Sequence, residues 1–187
     1  MKVRAIDDLP GLLLVEPVVY GDSRGFFLES YQRERYRRGG IAETFVQDNH
    51  SRSERGTLRG LHFQSPHAQG KLVRASAGEV FDVVVDVRVG SPGFGRWFGT
   101  YLSAENHMQL YIPPGFAHGF MVTSDWADFQ YKCTEYYHPE SEHALIWNDP
   151  ALRIEWPVER PSLSAKDAAG RTLEELEASG VLPRYAP

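Results

Sequence analysis

The 187-residue chain has 20 basic and 25 acidic residues, a formal net charge of −5, and 42% hydrophobic residues. This length suits one domain with a core of its own, so we expect a single domain over residues 1–187. The acidic balance argues against a protein that binds nucleic acid through a broad basic face, and the single Cys133 excludes an intramolecular disulfide framework.

Short β-strands dominate the elements that the sequence predicts. Alternating or apolar runs bounded by turn residues indicate strands at residues 12–19, 71–75, 79–88, 109–112, 119–123 and 128–137. Helix signals are few. Residues 30–38 form a short polar candidate, and Thr172 and Glu175 have the spacing of a capping box before a segment that ends at Gly180. Many short strands with close turns predict an antiparallel barrel or jelly roll.

The run EVFDVVVDVR at residues 79–88 bears on the interior of such a barrel. One of its faces carries Phe81 and valines, whereas the other alternates valine with Asp82, Asp86 and Arg88. Because inward residues alternate along each strand of a small barrel, this half-polar face fits a polar cavity. An ordinary solvent-facing sheet fits the same segment equally well.

The sequence predicts neither a membrane helix nor a secretion signal. No run approaches the ~18 consecutive apolar residues of a membrane-spanning helix. The first residues, MKVRAIDDLPG, lack the apolar stretch of a signal peptide. We therefore expect a cytoplasmic protein with no membrane partner.

Three segments concentrate side chains that could carry catalysis. They contain His62 followed by Lys71, then His118 after a glycine-rich turn, and Tyr131 two residues before Cys133. Taken singly, each has an ordinary structural explanation: a strand tyrosine usually packs, a lysine is usually solvated, and a free cysteine is usually a small buried residue. The residues alone leave both interpretations open.

A metal site is a further alternative. His62 and His118 could both be ligands, but Gln64 stands where the second histidine of an HxH pair would be. Glutamine and lysine are poor ligands for the metals that imidazole suits. We therefore expect chemistry without a metal ion.

Nine strings along the chain resemble the dTDP-4-dehydrorhamnose 3,5-epimerase family. They follow the family's order over about residues 4–167 and are GDSRGFFLE (21–29), FVQDNHS (45–51), LRGLHFQ (58–64), QGKLV (69–73), VFDVVVD (80–86), PGFAHGF (114–120), YKCTEYY (131–137), WNDP (147–150) and LSAKD (163–167). Gly93 and Tyr111 depart from the family's usual threonine and tryptophan. The tail from about residue 168 carries little of the resemblance, and we expect it to be peripheral.

The resemblance implies a fold and an assembly. The fold is a mainly β, cupin-type double-stranded β-helix (a jelly-roll barrel) with a few short helices and the site inside the barrel. Members of the family form homodimers in which an N-terminal stretch enters the partner's site. The periodicity of the sequence had indicated a barrel or jelly roll, but not a dimer.

The resemblance also implies an activity: epimerisation at C3 and C5 of dTDP-4-dehydro-6-deoxy-D-glucose to dTDP-4-dehydro-L-rhamnose, in dTDP-L-rhamnose biosynthesis. Inversion beside a ketone needs a base on one face, stabilisation of the enolate oxygen, and an acid on the other face, with no metal or redox cofactor. By resemblance, His62 is the base, Asp167 its partner carboxylate, Tyr131 the acid and Lys71 the cation near the C4 oxygen. An imidazole suits this role because its unperturbed pKa of about 6.5 lies near working pH.

Binding of the nucleotide sugar is assigned by the same resemblance. The residues implied are Arg24, Glu29, Gln47, Asp48, Asn49, Arg59, Lys71, His118, Glu142 and Lys166. Arg24 and Glu29 would come from the dimer partner, and arginine suits a diphosphate because its planar fork binds two oxygens. His118 could instead stabilise a turn.

Three alternatives to this activity stay open at the level of the sequence. A related 3-epimerase of a deoxysugar or antibiotic pathway would invert C3 alone with the same base. A barrel could bind a nucleotide sugar without turnover, although binding alone needs no base and acid. A metal-dependent cupin is the third, and Gln64 disfavours it.

Overall fold

The computed structural model describes residues 1–186, which fold into two large antiparallel β-sheets, a two-stranded ribbon and three short helices. The strands are β1 (Lys2–Ala5), β2 (Leu13–Glu16), β3 (Val19–Asp22), β4 (Gly25–Leu28), β5 (Gln47–Glu54), β6 (Leu58–Gln64), β7 (Lys71–Ala77), β8 (Glu79–Asp86), β9 (Trp97–Ser103), β10 (Gln109–Ile112), β11 (Phe116–Val122), β12 (Trp126–Cys133) and β13 (Glu142–Ala144). The helices are α1 (Arg33–Arg38), α2 (Ala165–Ala168) and α3 (Leu173–Ala178), with a 3-10 turn at Pro139–Ser141.

The two sheets form a jelly-roll barrel. One sheet has six strands in the order β1-β2-β10-β7-β12-β5, and the other has five in the order β13-β6-β11-β8-β9. Apolar residues from both sheets meet between them, among them Val80, Leu110, Phe120 and Phe129. The prediction of a mainly β fold of the cupin type with few short helices is confirmed.

Strand β8 is buried on both faces. Val80 and Val84 face the barrel interior together with Asp82, whereas Phe81 and Val83 belong to a second apolar cluster on the outside of the five-stranded sheet. Of the two interpretations of this half-polar strand, the inward-facing one is therefore correct.

The C-terminal segment covers the outer face of the five-stranded sheet. Leu173, Leu176 and Leu182 are buried there in the same cluster as Phe81 and Val83. The capping box predicted at the start of α3 is present: the Thr172 hydroxyl accepts from the Glu175 N–H. The expectation that the chain beyond residue 168 is peripheral was wrong, because its leucines complete an apolar layer that the sheet would otherwise expose to water.

The outer face of the six-stranded sheet is covered only in part. Helix α1 and the loop after it pack Tyr36 and Ile41 against Val15, Leu72 and Tyr111. The neighbouring strands β5 and β12 leave a polar outer surface with a pocket of about 370 Å³.

Strands β3 and β4 form a separate two-stranded ribbon. Its apolar side chains are exposed to an unusual degree: Tyr20 is 63% exposed, Phe26 64% and Phe27 68%. Isolated two-stranded ribbons are marginally stable in water, and contiguous exposed apolar side chains mark interaction surfaces.

Several predicted boundaries need correction. The strand expected at residues 12–19 is two strands, β2 and β3, separated at Pro17, which has no N–H to donate to a ladder. The strand expected at 128–137 ends at Cys133, and the helix expected at 30–38 begins at Arg33. Strands β1, β4, β5, β6, β9 and β13 lie outside the predicted strands. No helix within residues 1–186 is long and apolar enough to cross a membrane.

Candidate active site

A histidine and a buried carboxylate form a hydrogen-bonded pair at the centre of the candidate site. His62 lies on β6 and Asp167 on α2, and Nε2 of the imidazole is 2.6 Å from Oδ1 of the carboxylate. Burial alone would raise the pKa of Asp167, but hydrogen bonds from His62 and Ser164 outweigh it and hold that pKa below its ordinary value. The carboxylate therefore stays ionised and fixes the Nε2–H tautomer of His62, which leaves Nδ1 free to act.

Local sequence explains how the two groups meet. Ser164 is the N-cap of α2, and its hydroxyl both accepts from the Asp167 N–H and donates to Asp167 Oδ2 at 2.7 Å. On the other side, Gly60 has a φ of 119°, and a side chain there would come within 2.5 Å of Gly119 on β11. Glycine at both positions lets β6 and β11 approach closely beside His62.

The Nδ1 side of His62 faces a second carboxylate. Glu142 Oε1 lies 3.8 Å from Nδ1, and the other oxygen, Oε2, pairs with Lys166 and accepts from the Tyr137 hydroxyl at 2.6 Å. Burial raises the pKa of Glu142, but Lys166 and Tyr137 outweigh it and leave that pKa lowered. Sequence reasoning missed Tyr137, although it lies within the YKCTEYY string.

His118 lies beside His62 on the neighbouring strand β11, and the two are paired in register. Its Nε2 is 2.8 Å from Oδ2 of Asp82, which is fully buried. Burial lowers the pKa of His118 despite the opposing effect of Asp82. The arrangement makes His118 part of the cavity wall rather than of a surface turn.

Lys71 and Tyr131 occupy the facing six-stranded sheet. The Lys71 ammonium lies 5.9 Å from the centroid of the Tyr131 ring, and it forms no salt bridge with any residue between 1 and 186. Burial lowers the pKa of Lys71 and raises that of Tyr131. The phenol is therefore held in its protonated form. Because the ammonium is not paired with a carboxylate, its positive charge is available to attract an anionic group of a ligand.

A row of polar side chains from both sheets lies beside these groups. Arg59 donates from Nε to the Ser53 hydroxyl at 2.9 Å, and the Gln47 amide donates to Asn49 at 3.1 Å. Asn49 in turn contacts the sulfur of Cys133 at 3.5 Å. Thus Gln47, Asn49 and Arg59 do lie where a ligand inside the barrel would meet them.

Three of the predicted binding residues lie elsewhere. Asp48 is on the opposite face of β5 from Asn49 and pairs with Lys132 at 2.9 Å, so its carboxylate does not line this cavity, contrary to expectation. The alternation of side chains along a strand is the reason. Arg24 is on the exposed ribbon, 87% exposed at its side chain and paired with Asp22, and Glu29 pairs with Arg35 at 3.2 Å.

Gln64 has a structural role at the edge of the site. Its amide nitrogen donates to the carbonyl oxygens of His67 and Tyr136, and its amide oxygen accepts from the His138 N–H. It thereby ties together two loops at this end of the barrel. Within residues 1–186 no group of three or more His, Cys, Asp and Glu side chains is arranged to hold a metal ion.

Comparison with known proteins gives consistent matches. A family model described as dTDP-4-dehydrorhamnose 3,5-epimerase matches residues 7–175. The dTDP-4-dehydrorhamnose 3,5-epimerase of Pseudomonas aeruginosa is 55% identical over 171 residues, which cover 90% of this chain and 94% of that one.

Solved structures agree with these matches. A dTDP-6-deoxy-D-glucose-3,5-epimerase from Legionella pneumophila, in complex with dTDP-4-keto-L-rhamnose, has a TM-score of 0.95 and 55% identity and covers 100% of this chain and 99% of that one. A 3'-monoepimerase from Streptomyces bikiniensis, in complex with dTDP-quinovose, has a TM-score of 0.88 and 37% identity and covers 94% and 90%.

Proposed function

The chain belongs to the dTDP-4-dehydrorhamnose 3,5-epimerase family, and we propose that it inverts C3 and C5 of dTDP-4-dehydro-6-deoxy-D-glucose to give dTDP-4-dehydro-L-rhamnose, in dTDP-L-rhamnose biosynthesis. The observation that carries the mechanism is the His62–Asp167 pair on one wall of the barrel, with Lys71 and Tyr131 on the facing wall. A base and an acid on opposite walls can act on opposite faces of one sugar ring.

His62 is the base of the proposed mechanism. Because Nε2 is bound to Asp167, Nδ1 is the nitrogen that removes the proton from the carbon beside the ketone. The imidazolium that forms is stabilised by the Asp167 carboxylate at 2.6 Å, as in other pairs of histidine and a buried carboxylate. The electron pair of the broken C–H bond moves to the C4 oxygen, which becomes an enolate.

Lys71 stabilises that enolate, and Tyr131 returns a proton. A desolvated ammonium with no salt bridge gains more from a developing negative charge than one already paired. Tyr131 donates its phenolic proton to the face opposite His62, and its raised pKa keeps it protonated until the enolate collapses. The ketone is restored, and the carbon is inverted.

The nucleotide and the diphosphate occupy the polar row next to these groups. We assign Arg59 and Lys166 to the diphosphate, because each carries a positive charge at the open side of the site. Gln47, Asn49 and Glu142 supply further polar contacts. Lys166 now pairs with Glu142, so phosphate binding would exchange one anionic partner for another.

Arg24 and Glu29 contribute through a homodimer. The exposed apolar ribbon of β3 and β4 has too much apolar surface to remain in water, and a second copy of the chain would cover it. In such a dimer the ribbon would carry Arg24 toward the partner's cavity. Gel filtration with light scattering tests the assembly: a monomer at micromolar concentration would contradict it.

We further expect the enzyme to act in the cytoplasm and to need no metal ion. Full activity in the presence of a chelator, and recovery of the enzyme in the cytoplasmic fraction of its host, would support these two expectations. Activity that is lost with chelator and restored by a divalent cation would contradict the first.

The experiment that tests the reaction is turnover of dTDP-4-keto-6-deoxyglucose in D₂O, followed by NMR of the product. Double inversion predicts deuterium at both C3 and C5. Deuterium and inversion at C3 alone would instead support the single-inversion alternative, which the sequence left open. The relatives favour double inversion, because the monoepimerase is 37% identical to this chain whereas the two 3,5-epimerases are 55% identical. Tight dTDP binding without exchange would indicate a binding protein.

A further inference from the structure

The buried pair of Asp82 and His118 has no part in the proton transfers described above. It lies beside them, since His118 is the register partner of His62 and Asp82 is on the next strand, β8. The His118 side chain is only 6% exposed, and that of Asp82 is fully buried. Two buried polar groups in a catalytic cavity call for a function, because each loses its hydration on folding.

The hydrogen bond between them fixes which ring nitrogen faces the cavity. Nε2 lies 2.8 Å from Asp82 Oδ2, so a carboxylate at this position holds the proton on Nε2. Within residues 1–186, Nδ1 of His118 has no hydrogen-bond partner. It is nevertheless not a buried atom, because solvent can reach it. Nδ1 therefore faces the space that a ligand would fill.

The surroundings of the ring favour its neutral form. Lys71 from β7 and His62 from β6 both act against a positive charge on His118, and the Phe129 ring from β12 stacks on it at 6.0 Å. Asp82 is the one charged group that favours protonation, and its negative charge is also offset by Lys71. Burial adds to the same effect.

We propose that Asp82 is a positioning residue that holds His118 as a neutral Nε2–H imidazole, so that Nδ1 accepts a hydrogen bond from a hydroxyl group of the substrate's sugar ring. This inference rests on the proposed function for the identity of the ligand. The proposal gives His118 a different role from that of Arg59 and Lys166, which are assigned to the diphosphate. A neutral hydrogen-bond acceptor binds a hydroxyl group and does not attract a phosphate. His118 thus belongs to the sugar subsite, next to the base.

Nitrogen-15 NMR of the histidine side chains tests the first half of the proposal on the free, full-length protein. His118→Asn assigns the His118 signals among the seven histidines. At pH 7 we expect the pattern of a neutral Nε2–H tautomer for His118. An imidazolium or an Nδ1–H pattern would overturn the proposal, whatever the enzyme's activity.

Asp82→Asn tests the second half. An amide can offer either its oxygen or its NH₂ group to Nε2, so His118 is no longer confined to one tautomer, and the NMR pattern should become mixed. If about half of the molecules keep the Nε2–H form, the KM for the nucleotide sugar should rise about twofold, with a smaller change in kcat. A single Nε2–H tautomer with unchanged KM, or a mixed pattern with unchanged KM, would overturn the proposal.

Asp86→Asn is the matched control. Asp86 lies on the same face of β8, is equally buried, and pairs with Arg88 instead of a histidine. Its substitution should lower stability yet leave the His118 pattern and the KM of the folded enzyme unchanged. Failure of the proposed function is separate, since it would appear as absence of turnover by the unsubstituted enzyme.

Discussion

Asp167→Asn isolates the contribution of the carboxylate's charge. The oxygen that accepts from His62 also lies 3.4 Å from the Gly60 N–H, and the other oxygen contacts the Ser164 hydroxyl. An asparagine can therefore keep its carbonyl oxygen toward His62 and turn its NH₂ group to Ser164. The shape of the site is retained, and the negative charge beside the imidazolium is lost.

The size of the effect follows from that charge. Two unit charges about 4 Å apart interact with about 4 kcal/mol at an effective dielectric constant of about 20. If this stabilisation is present only when His62 is protonated, the barrier to proton abstraction rises by a similar amount. That corresponds to a fall in kcat of about 10³-fold.

Steady-state kinetics with dTDP-4-keto-6-deoxyglucose measures this fall, and Ser164→Ala is the control. The alanine variant removes one hydrogen bond to the Asp167 carboxylate, together with the N-cap bond from the Asp167 N–H, and keeps the charge, so a loss of about tenfold is expected. Equal losses for both variants, or a loss below tenfold for Asp167→Asn, would refute the electrostatic reasoning. Unchanged dTDP affinity in both would show that the fold of the site persists.

The remaining predictions concern the acid, the C-terminal segment and a buried ion pair. Tyr131→Phe should still exchange substrate hydrogen with D₂O but should yield little inverted product, and equal loss of exchange and inversion would contradict its assignment as the acid. Leu176→Ala should lower the free energy of unfolding by about 2–5 kcal/mol, whereas the exposed Glu177→Ala should change it by less than about 0.5 kcal/mol; a small loss for Leu176→Ala would mean that the segment is peripheral after all. Arg88→Met leaves the fully buried Asp86 unpaired and should cost about 3–5 kcal/mol in urea unfolding, and near-normal stability would show that Asp86 is neutralised in another way.

The sequence predicted those elements whose patterns reflect packing. Strand β10 has the predicted bounds, and the capping box of α3 is where its spacing placed it. Strand β5, QDNHSRSE, could not be found in this way because neither face is apolar. Its inner face lines the polar site, and its outer face forms ion pairs such as Arg52 with Asp128.

The site itself depends on contacts between distant residues. His62 and Asp167 are 105 positions apart, and no local pattern joins them; the family resemblance alone suggested the pair. One local signal was available, since Ser164 and Asp167 have the spacing of a helix N-cap and its third residue. The orientation of Asp48 could have been inferred from alternation along β5 once Asn49 was placed inside.

Solvent exchange by His62→Ala tests the central claim most directly. The variant and the unsubstituted enzyme would be incubated with dTDP-4-keto-6-deoxyglucose in D₂O, and deuterium at C3 and C5 would be measured by NMR, with dTDP affinity as the check on folding. If His62 is the base, the variant binds dTDP normally and incorporates deuterium at neither carbon on the timescale of many wild-type turnovers. Incorporation at a near-normal rate at either carbon would contradict the assignment of His62 as the base at that carbon.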